Sequence, residues 1–384
     1  MRLLKKLNGW LHLWLGLVTG LITFIVSITG CLYVFIDEIR EIAYRDRCYV
    51  QIENIPYQPL SVMIAQARAA VPASYEIVRT DIQPAPGRTW VFRAGTKYRV
   101  YVNPYTAEVV YVEDQNREFF RVVLELHRNL LLGREVGQPI VAYSIFVFLL
   151  LCLSGLVLWW PKKWNRKHMK RSFTVKWKAS FKRLNYDLHN VWGFYMLIPA
   201  LVLAMTGLVY SFSWFDQAFT YSFSGGQHRT QWEIPKSSPT EGSHMGALDS
   251  AFADVLRRYP KADVVSMRVR EKVDAPYDFQ IRMLKGRTYH FEWSYYDRQT
   301  AQLLYSYGTN DLNRADKIRA LNFDLHVGSF MGLPSKIVAF ICSMFCASLP
   351  LTGFLIWYNR KWGKKKKRRP QSTKRNVHNG TMKS

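Results

Sequence analysis

The chain has 384 residues and a net charge of +25 at pH 7, and its 49% apolar and 15% aromatic residues exclude a disordered or fibrous protein. Spread over a soluble domain, such a charge would indicate nucleic-acid binding. Instead, 24 basic residues lie in three segments without Asp or Glu, residues 1–11, 161–183 and 359–384, each next to a long apolar run. This pattern follows the positive-inside rule, so the sequence predicts a membrane protein and no nucleic-acid partner.

Four apolar runs are long enough to cross the hydrocarbon layer of roughly 30 Å as helices. With the basic segments in the cytoplasm, the two long connecting segments are extracytoplasmic. The predicted order is a first transmembrane helix (1–36, apolar from about 11), a first outer module with an interfacial helix (37–138), a second transmembrane helix (139–160), a basic cytoplasmic loop (161–188), a third transmembrane helix (189–212), a second outer module with an interfacial helix (213–336), a fourth transmembrane helix (337–358) and a basic cytoplasmic tail (359–384).

The two halves of the chain repeat each other. His12 and His189 are each followed at the same four offsets by Gly, Thr, Gly and Tyr, which are Gly16, Thr29, Gly30 and Tyr33 in the first copy and Gly193, Thr206, Gly207 and Tyr210 in the second. His127 and His326 correspond in a looser match. Each outer segment opens with a helical pattern and ends in a hairpin, at 98–112 and 289–305. The fold class predicted is a four-helix transmembrane bundle from two tandem repeats, each with an extracytoplasmic α+β module.

This arrangement resembles the PepSY-associated transmembrane family of bacterial inner-membrane proteins, so the outer modules are expected to be PepSY-like. The most specific motifs are LHRNLLLG at residues 126–133 and SGLVLWWP at residues 154–161. The chain is similar to iron-regulated family members described as ferric-siderophore reductases, including ferrioxamine-linked ones. The resemblance implies electron transfer through bound b-type haem to iron that is carried by a siderophore.

The recurring histidines are the candidate metal ligands. His12 and His189 lie at similar depths near the cytoplasmic side, on helices related by the repeat. Haem iron needs two axial donors on opposite faces, which two facing helices can supply. Taken singly, each would more simply be a histidine at the membrane edge. Gly9, Gly16, Gly20 and Gly193 would let the backbone approach a flat macrocycle.

His127 and His326 form the second predicted pair, near the periplasmic side. The alternative is that they are incidental histidines in amphipathic anchoring helices. Arg128 and Arg134 are candidates to neutralise haem propionates, although Val327 replaces arginine at the position of Arg128 in the second copy. His12 and His127 lie near opposite sides of the membrane and cannot share one iron. The sequence therefore predicts two b-type haems, held without thioether bonds because no Cys-x-x-Cys-His motif occurs.

Other candidates are weaker. Glu125, Asp187 and Asp324 lie one or two residues before predicted ligands and could orient an imidazole, or simply solvate their helices. Five histidines have no counterpart in the other copy and are expected at the surface, namely His168, His228, His244, His290 and His378.

The function expected is an inner-membrane di-haem oxidoreductase that passes electrons to a periplasmic ferric siderophore. No nucleotide or flavin fingerprint is present, so the donor would be an external cytoplasmic protein or cofactor, or a membrane quinol. Two other classes stay open: a non-redox membrane protein whose PepSY-like modules bind a peptide or regulate a protease, and a siderophore permease.

Overall fold

The computed structural model describes residues 2–238, 245–270 and 272–362. The end of the predicted basic tail (363–384), with His378, and also His244 lie outside the described residues. The helices are α1 (Arg2–Val34), α2 (Ile36–Ala43), α3 (Arg45–Cys48), α4 (Leu60–Ala69), α5 (Phe119–Asn129), α6 (Gly133–Trp159), α7 (Arg166–Phe173), α8 (Phe181–Asp187), α9 (Gly193–Tyr195), α10 (Leu197–Ser211), α11 (Ser213–Ser224), α12 (Met245–Arg258), α13 (Arg314–Val327) and α14 (Leu333–Lys361). The strands are β1 (Ile77–Ile82), β2 (Trp90–Ala94), β3 (Tyr98–Val102), β4 (Val109–Asp114), β5 (Val264–Arg268), β6 (Tyr277–Arg282), β7 (Phe291–Tyr296) and β8 (Leu303–Gly308).

Three of these helices are long and apolar enough to cross a membrane. They are α1 from Leu3, α6 and α14. The fourth candidate is a pair, Phe181–Tyr195 and Leu197–Ser211, whose two parts are bent by 65°. The described residues therefore hold three such helices, or four if the bent pair is one span. Together with the sheet, these helices make the chain a membrane protein with a sheet domain.

The bend in the third predicted span has a local cause. Leu188–Trp192 forms a π-helical turn that contains His189, and the helix breaks at Met196 before α10 begins. Pro199 has no N–H, so the carbonyl of Tyr195 loses the amide that would continue the helix. The apolar composition of residues 189–212 predicted one continuous helix, because composition alone does not indicate where a helix breaks.

The long helices pack side by side. α1 contacts α6 and α14, and α10 contacts the same two helices. The short helices α5 and α13 lie against α1 and α10 respectively. We call the end at Lys5 of α1 and Lys361 of α14 the basic end, and the opposite end of the helices, next to the strands, the sheet end.

The strands form one eight-stranded antiparallel sheet in the order β4-β3-β2-β1-β5-β6-β7-β8. Each half contributes a four-stranded meander, and the halves join through β1 and β5, where Arg79 pairs with Arg268 and Ile82 with Val265. The two predicted outer modules thus share one sheet. β7 starts two residues later than the predicted hairpin strand because the Asp324 carboxylate accepts the Tyr289 N–H at 2.7 Å.

One hydrophobic core serves both halves of the sheet. Helices α4 and α12 cover one sheet face, and their buried residues form a single cluster with the strands. Trp90, Phe92 and Phe279 are at most 1% exposed within it. Because burying an aromatic side chain removes a large apolar area from water, these residues hold the two meanders together.

Ion pairs connect the sheet to the helices. Arg40 of α2 bonds Glu113 of β4 at 3.2 Å, and Lys336 at the start of α14 bonds Glu38 of α2 at 2.7 Å. On the other side, the Asp324 carboxylate of α13 accepts two backbone N–H groups from the loop before β7. These contacts fix the sheet directly above the sheet end of the helices.

Asp81 holds the seam between the two meanders. Its carboxylate bonds Arg79 at 2.7 Å, Arg93 at 2.6 Å and the Ser266 hydroxyl of β5 at 2.7 Å. Burial alone would raise the pKa of Asp81, but the charges of Arg93 and Arg79 lower it to about 2. A carboxyl with a lowered pKa stabilises the folded state above its unfolded pKa of about 4 and loses this contribution as the pH falls through about 2.

We therefore expect Asp81→Asn to reduce the stability of the β1–β5 seam by about 1–2 kcal/mol at pH 7, after allowance for solvent around the arginines. Amide hydrogen exchange in β1 and β5 measures this, and protection in the wild type should fall between pH 5 and pH 2 by more than that of the variant. The control is Asp46→Asn, at an exposed position of α3. Equal protection in Asp81→Asn and the control would contradict the prediction.

Candidate functional site

The four recurring histidines meet in two pairs. The ring centroids of His12 and His189 are 6.4 Å apart, near the basic end. Those of His127 and His326 are 6.2 Å apart, at the sheet end. We call these pair 1 and pair 2. The structure therefore brings together the residues that the repeat predicted as partners.

The three described histidines without a counterpart lie elsewhere. His168 bonds Asn165 at 2.7 Å, and the ring of His228 lies against Tyr221 at 5.1 Å. His290 belongs to the loop before β7. None of them joins either pair.

Each paired imidazole lies against a serine or threonine hydroxyl on a neighbouring helix. The Nδ1–Oγ distances are 2.7 Å for His12 and Ser154, 2.9 Å for His189 and Thr352, 3.0 Å for His127 and Thr29, and 3.0 Å for His326 and Thr206. In all four cases the hydroxyl residue is followed by glycine. The same local arrangement is therefore built four times.

The hydrogen bonds of these hydroxyls determine which ring nitrogen carries the proton. Every one of the four donates its single proton to a carbonyl of its own helix, for example Thr352 to Ser348 at 2.9 Å. It can then only accept from Nδ1–H. His127 adds independent support, since its Nδ1 also lies 2.9 Å from the carbonyl oxygen of Val26. The lone pair is therefore on Nε2, to which no described residue hydrogen-bonds.

Burial keeps the imidazoles of pair 2 neutral. It lowers the pKa of His127 to about 4, with a smaller contribution from the neighbouring His326, and it also lowers the pKa of His326. Neutral imidazole with a free nitrogen lone pair is the form that binds metals.

The glycine after each hydroxyl residue makes room for the ring. A Cβ added to Gly155, Gly353, Gly30 or Gly207 would lie 3.2–3.4 Å from Cε1 of the histidine that it faces. Such contacts are tighter than ordinary packing, so any larger side chain would displace the imidazole. Because Nδ1 and Cε1 of each ring lie against the neighbouring helix, Nε2 is the ring nitrogen that is free to bind a ligand.

Asparagines one turn before three of the histidines complete the arrangement. The side-chain amides of Asn8, Asn185 and Asn322 donate to the carbonyl oxygens of Ser154, Thr352 and Thr206, at 3.2, 3.0 and 3.2 Å. Each therefore binds the backbone of the same residue whose hydroxyl holds the histidine. Val123 occupies the corresponding position before His127.

The carboxylates considered as orienting groups do not contact the imidazoles. Asp187 bonds Arg183 at 2.8 Å, and Asp324 bonds backbone N–H groups before β7. Glu125 bonds Asn129 and Arg121. Hydroxyls take this role instead. The sequence does contain the two parts of this arrangement, Asn-x-x-x-His and a Ser-Gly or Thr-Gly dipeptide, at repeated offsets. It does not indicate that the two parts contact each other, because they lie on different helices.

Pair 1 lines a cavity of about 380 Å3 between α1, α6, the bent helix pair and α14. This volume is within the range of about 300–1,000 Å3 that cofactor and ligand pockets occupy. Gly9, Gly16, Gly20 and Gly193 all line the cavity, as do Gly155 and Gly353. The glycines that were expected to admit a flat group are thus on its walls.

The two pairs are at opposite ends of α1. His12 is on α1, and Thr29, which holds His127, lies 17 residues further along the same helix. At 1.5 Å per residue this is about 26 Å. One ligand cannot span both pairs, which agrees with the expectation of two separate sites.

Arg128 is exposed beside pair 2, and no described carboxylate forms an ion pair with it. Arg134 bonds Gln138 at 3.3 Å. The guanidinium of Arg128 is therefore available to an anion near His127. That Arg128 neutralises a haem propionate stays a prediction.

The distance between the ring centroids in both pairs matches the distance expected for two imidazoles on one haem iron. Two imidazoles that bind one iron through Nε2 from opposite sides have ring centroids about 6 Å apart, given metal–nitrogen bonds of about 2 Å and ring atoms about 1 Å from the centroid. Among the described residues, no group of three or more His, Cys, Asp or Glu could hold a metal ion by itself. A metal at these pairs would need equatorial ligands from another molecule, which a porphyrin supplies.

The chain belongs to a known family. The family model described as "PepSY-associated TM region" matches residues 9–360, most of the chain, as the motifs at 126–133 and 154–161 predicted. No curated protein matches the sequence. Family membership establishes no activity, so the function has to be argued from the two histidine pairs.

Proposed function

We propose that the protein is a di-haem b oxidoreductase of the bacterial inner membrane that transfers electrons from the cytoplasmic side to ferric siderophores in the periplasm. The observation that carries this proposal is the spacing of two imidazole pairs, 6.4 and 6.2 Å, each with the Nδ1 proton held by a hydroxyl. Bound haem would supply reversible one-electron transfer at each pair.

The chain's own residues would select and hold the cofactor. Ser154 and Thr352 fix the ring orientation in pair 1, and Thr29 and Thr206 do so in pair 2. A hydrogen bond from Nδ1–H also makes the imidazole a stronger donor through Nε2. Because both imidazoles of each pair would hold the cofactor, they would not be available to substrate iron, so specificity for the chelate should be loose.

The charge distribution supports the orientation. Placing the basic end in the cytoplasm satisfies the positive-inside rule and puts the sheet in the periplasm. The bent pair then counts as the third of four spans, and two tandem repeats form a four-helix bundle with PepSY-like modules outside. Pair 1 would be on the cytoplasmic side of this bundle and pair 2 on the periplasmic side.

The substrate rests on the resemblance to ferric-siderophore reductases. Each iron(III) chelate would take one electron and become iron(II), which hard oxygen donors hold far less tightly. Reduction would therefore release the iron. The electron donor is not part of the described chain and must bind from outside.

We expect the purified protein to show sharp reduced b-type absorption bands with about two haems per chain. The dithionite-reduced bands should disappear when a ferric siderophore is added without oxygen, while the iron-free siderophore, as control, leaves them unchanged. A colourless preparation would contradict the proposal and favour a peptide-binding or protease-regulating protein. Siderophore transport by vesicles that lack haem would favour a permease.

A further inference from the structure

A second cavity lies beside pair 1 at the basic end. It has a volume of about 310 Å3, and four cationic side chains line it: Arg171, Lys182, Arg183 and Arg360. Tyr186 and Asn359 contribute to the same wall. We call this cavity the basic groove.

The basic groove carries unneutralised positive charge. No acidic residue is among those that line it. Arg183 is neutralised by Asp187 at 2.8 Å, and Lys182 donates to the Asn359 carbonyl at 3.4 Å. Arg171, Lys182 and Arg360 are exposed and form no ion pair with a described carboxylate. Three cations around one small groove favour an anion with more than one charge.

The groove shares a wall with the cavity of pair 1. Tyr186, Ile356 and Arg360 line both. Asn185, which also lines the groove, bonds the Thr352 carbonyl, and the Thr352 hydroxyl holds His189. A ligand in the groove would therefore lie one residue layer from the cytoplasmic candidate haem site.

Resting on the proposed function, we propose that the basic groove binds the phosphate of a reduced flavin mononucleotide, which is the soluble electron donor. A membrane quinol is uncharged and would form no ion pair with the three cations. A hydride donor does not deliver single electrons, whereas a dihydroflavin gives two electrons in separate steps and releases two protons. Tyr186 offers an aromatic wall against which a flavin ring can stack. Each flavin oxidised in this way would reduce two iron(III) chelates.

Calorimetry with the purified haem-loaded protein tests binding. Flavin mononucleotide should bind more tightly than riboflavin, which has the same ring without phosphate, and this preference should weaken with salt. The double variant Arg171→Gln/Lys182→Gln should lower the affinity for flavin mononucleotide by about tenfold. The control Arg166→Gln/Lys178→Gln removes the same charge from exposed positions outside the groove and should keep the wild-type affinity.

Anaerobic stopped-flow tests electron entry. Reduced flavin mononucleotide should reduce the haem faster than reduced riboflavin in the wild type and the control, and the two rates should become similar in the groove variant. Dithionite should reduce all three proteins at the same rate, which separates loss of donor binding from damage to pair 1.

Three results would overturn the proposal. The first is equal affinity for the two flavins, and the second is a control variant whose affinity for flavin mononucleotide falls as much as that of the groove variant. The third is an anionic phospholipid that binds the wild type but not the groove variant and that flavin mononucleotide does not displace. The last result would assign the groove to a lipid headgroup. A colourless protein would contradict the proposed haem function and not the ligand of the groove. The calorimetric comparison of the two flavins would still test which ligand the groove binds.

Discussion

His12→Ala and His189→Ala are each expected to remove the same haem, leaving about one per chain, and His127→Ala and His326→Ala are each expected to remove the other. The reason is the spacing of the pairs, because loss of either imidazole leaves one axial bond where bis-imidazole ligation needs two. Haem-to-protein ratios, together with electron paramagnetic resonance of the haem that is left, measure the result. His168→Ala, whose ring bonds only Asn165, is the matched control and should retain both haems.

Rescue separates loss of a ligand from loss of the fold. Removing the His12 side chain enlarges a cavity that already opens around pair 1, so free imidazole added during haem loading should restore binding in His12→Ala. Loss of different haems from His12→Ala and His189→Ala would refute the pairing. Loss of both haems from either variant, with circular dichroism unchanged, would mean that one pair cannot be occupied without the other.

The repeat made the pairs predictable, and the helix packing behind them was harder to predict. Equal offsets after His12 and His189 indicate equivalent positions on related helices, so the sequence alone predicts which histidines meet. The hydroxyl that holds each ring lies on a different helix, between 98 and 163 residues away. Apolar helix faces look alike in sequence, so the pattern does not indicate which hydroxyl a histidine will contact.

The sheet illustrates the same limit. Both hairpins are visible as alternating strands, but the pairing of β1 with β5 joins segments almost two hundred residues apart through backbone hydrogen bonds. Those bonds carry no side-chain signature. Likewise, Pro199 was visible, yet a proline in an apolar span is compatible with either a kink or a straight helix, so the sequence alone did not predict the π-helical turn and the 65° bend.

The two pairs differ in ways that suit different tasks. Pair 1 opens to a cavity that shares a wall with the basic groove, so a donor in the groove would lie close to it at the basic end. The helix α13, which carries His326 of pair 2, is tied to the sheet through Asp324. If the sheet is the docking surface for the chelate, this connection places substrate binding and pair 2 on one rigid unit. Electron entry and exit would then depend on separate parts of the molecule.

Thr352→Val is expected to weaken haem binding at pair 1 by about 10–100-fold and to raise the midpoint potential of the haem there, without affecting pair 2. Valine keeps the shape of threonine and removes the hydroxyl that accepts from Nδ1–H of His189, which leaves this imidazole with the backbone carbonyl of Leu349. The imidazole then donates less electron density through Nε2, so iron(III) is stabilised less and reduction becomes easier. Potentiometric titration and haem retention on dilution measure the two effects.

Two further threonine variants show whether the hydroxyl or the side-chain volume matters. Thr352→Ser keeps the acceptor and should retain the wild-type potential. Thr23→Val makes the same chemical change on the wall of the same cavity, but the Thr23 hydroxyl bonds only its own helix, at 3.0 Å from the Thr19 carbonyl. If Thr352→Val and Thr23→Val shift the potential equally, the effect comes from cavity polarity, and the hydroxyl does not act through His189. If only Thr352→Val shifts it, the Thr352 hydroxyl sets the ligand strength of His189 through the contact at 2.9 Å.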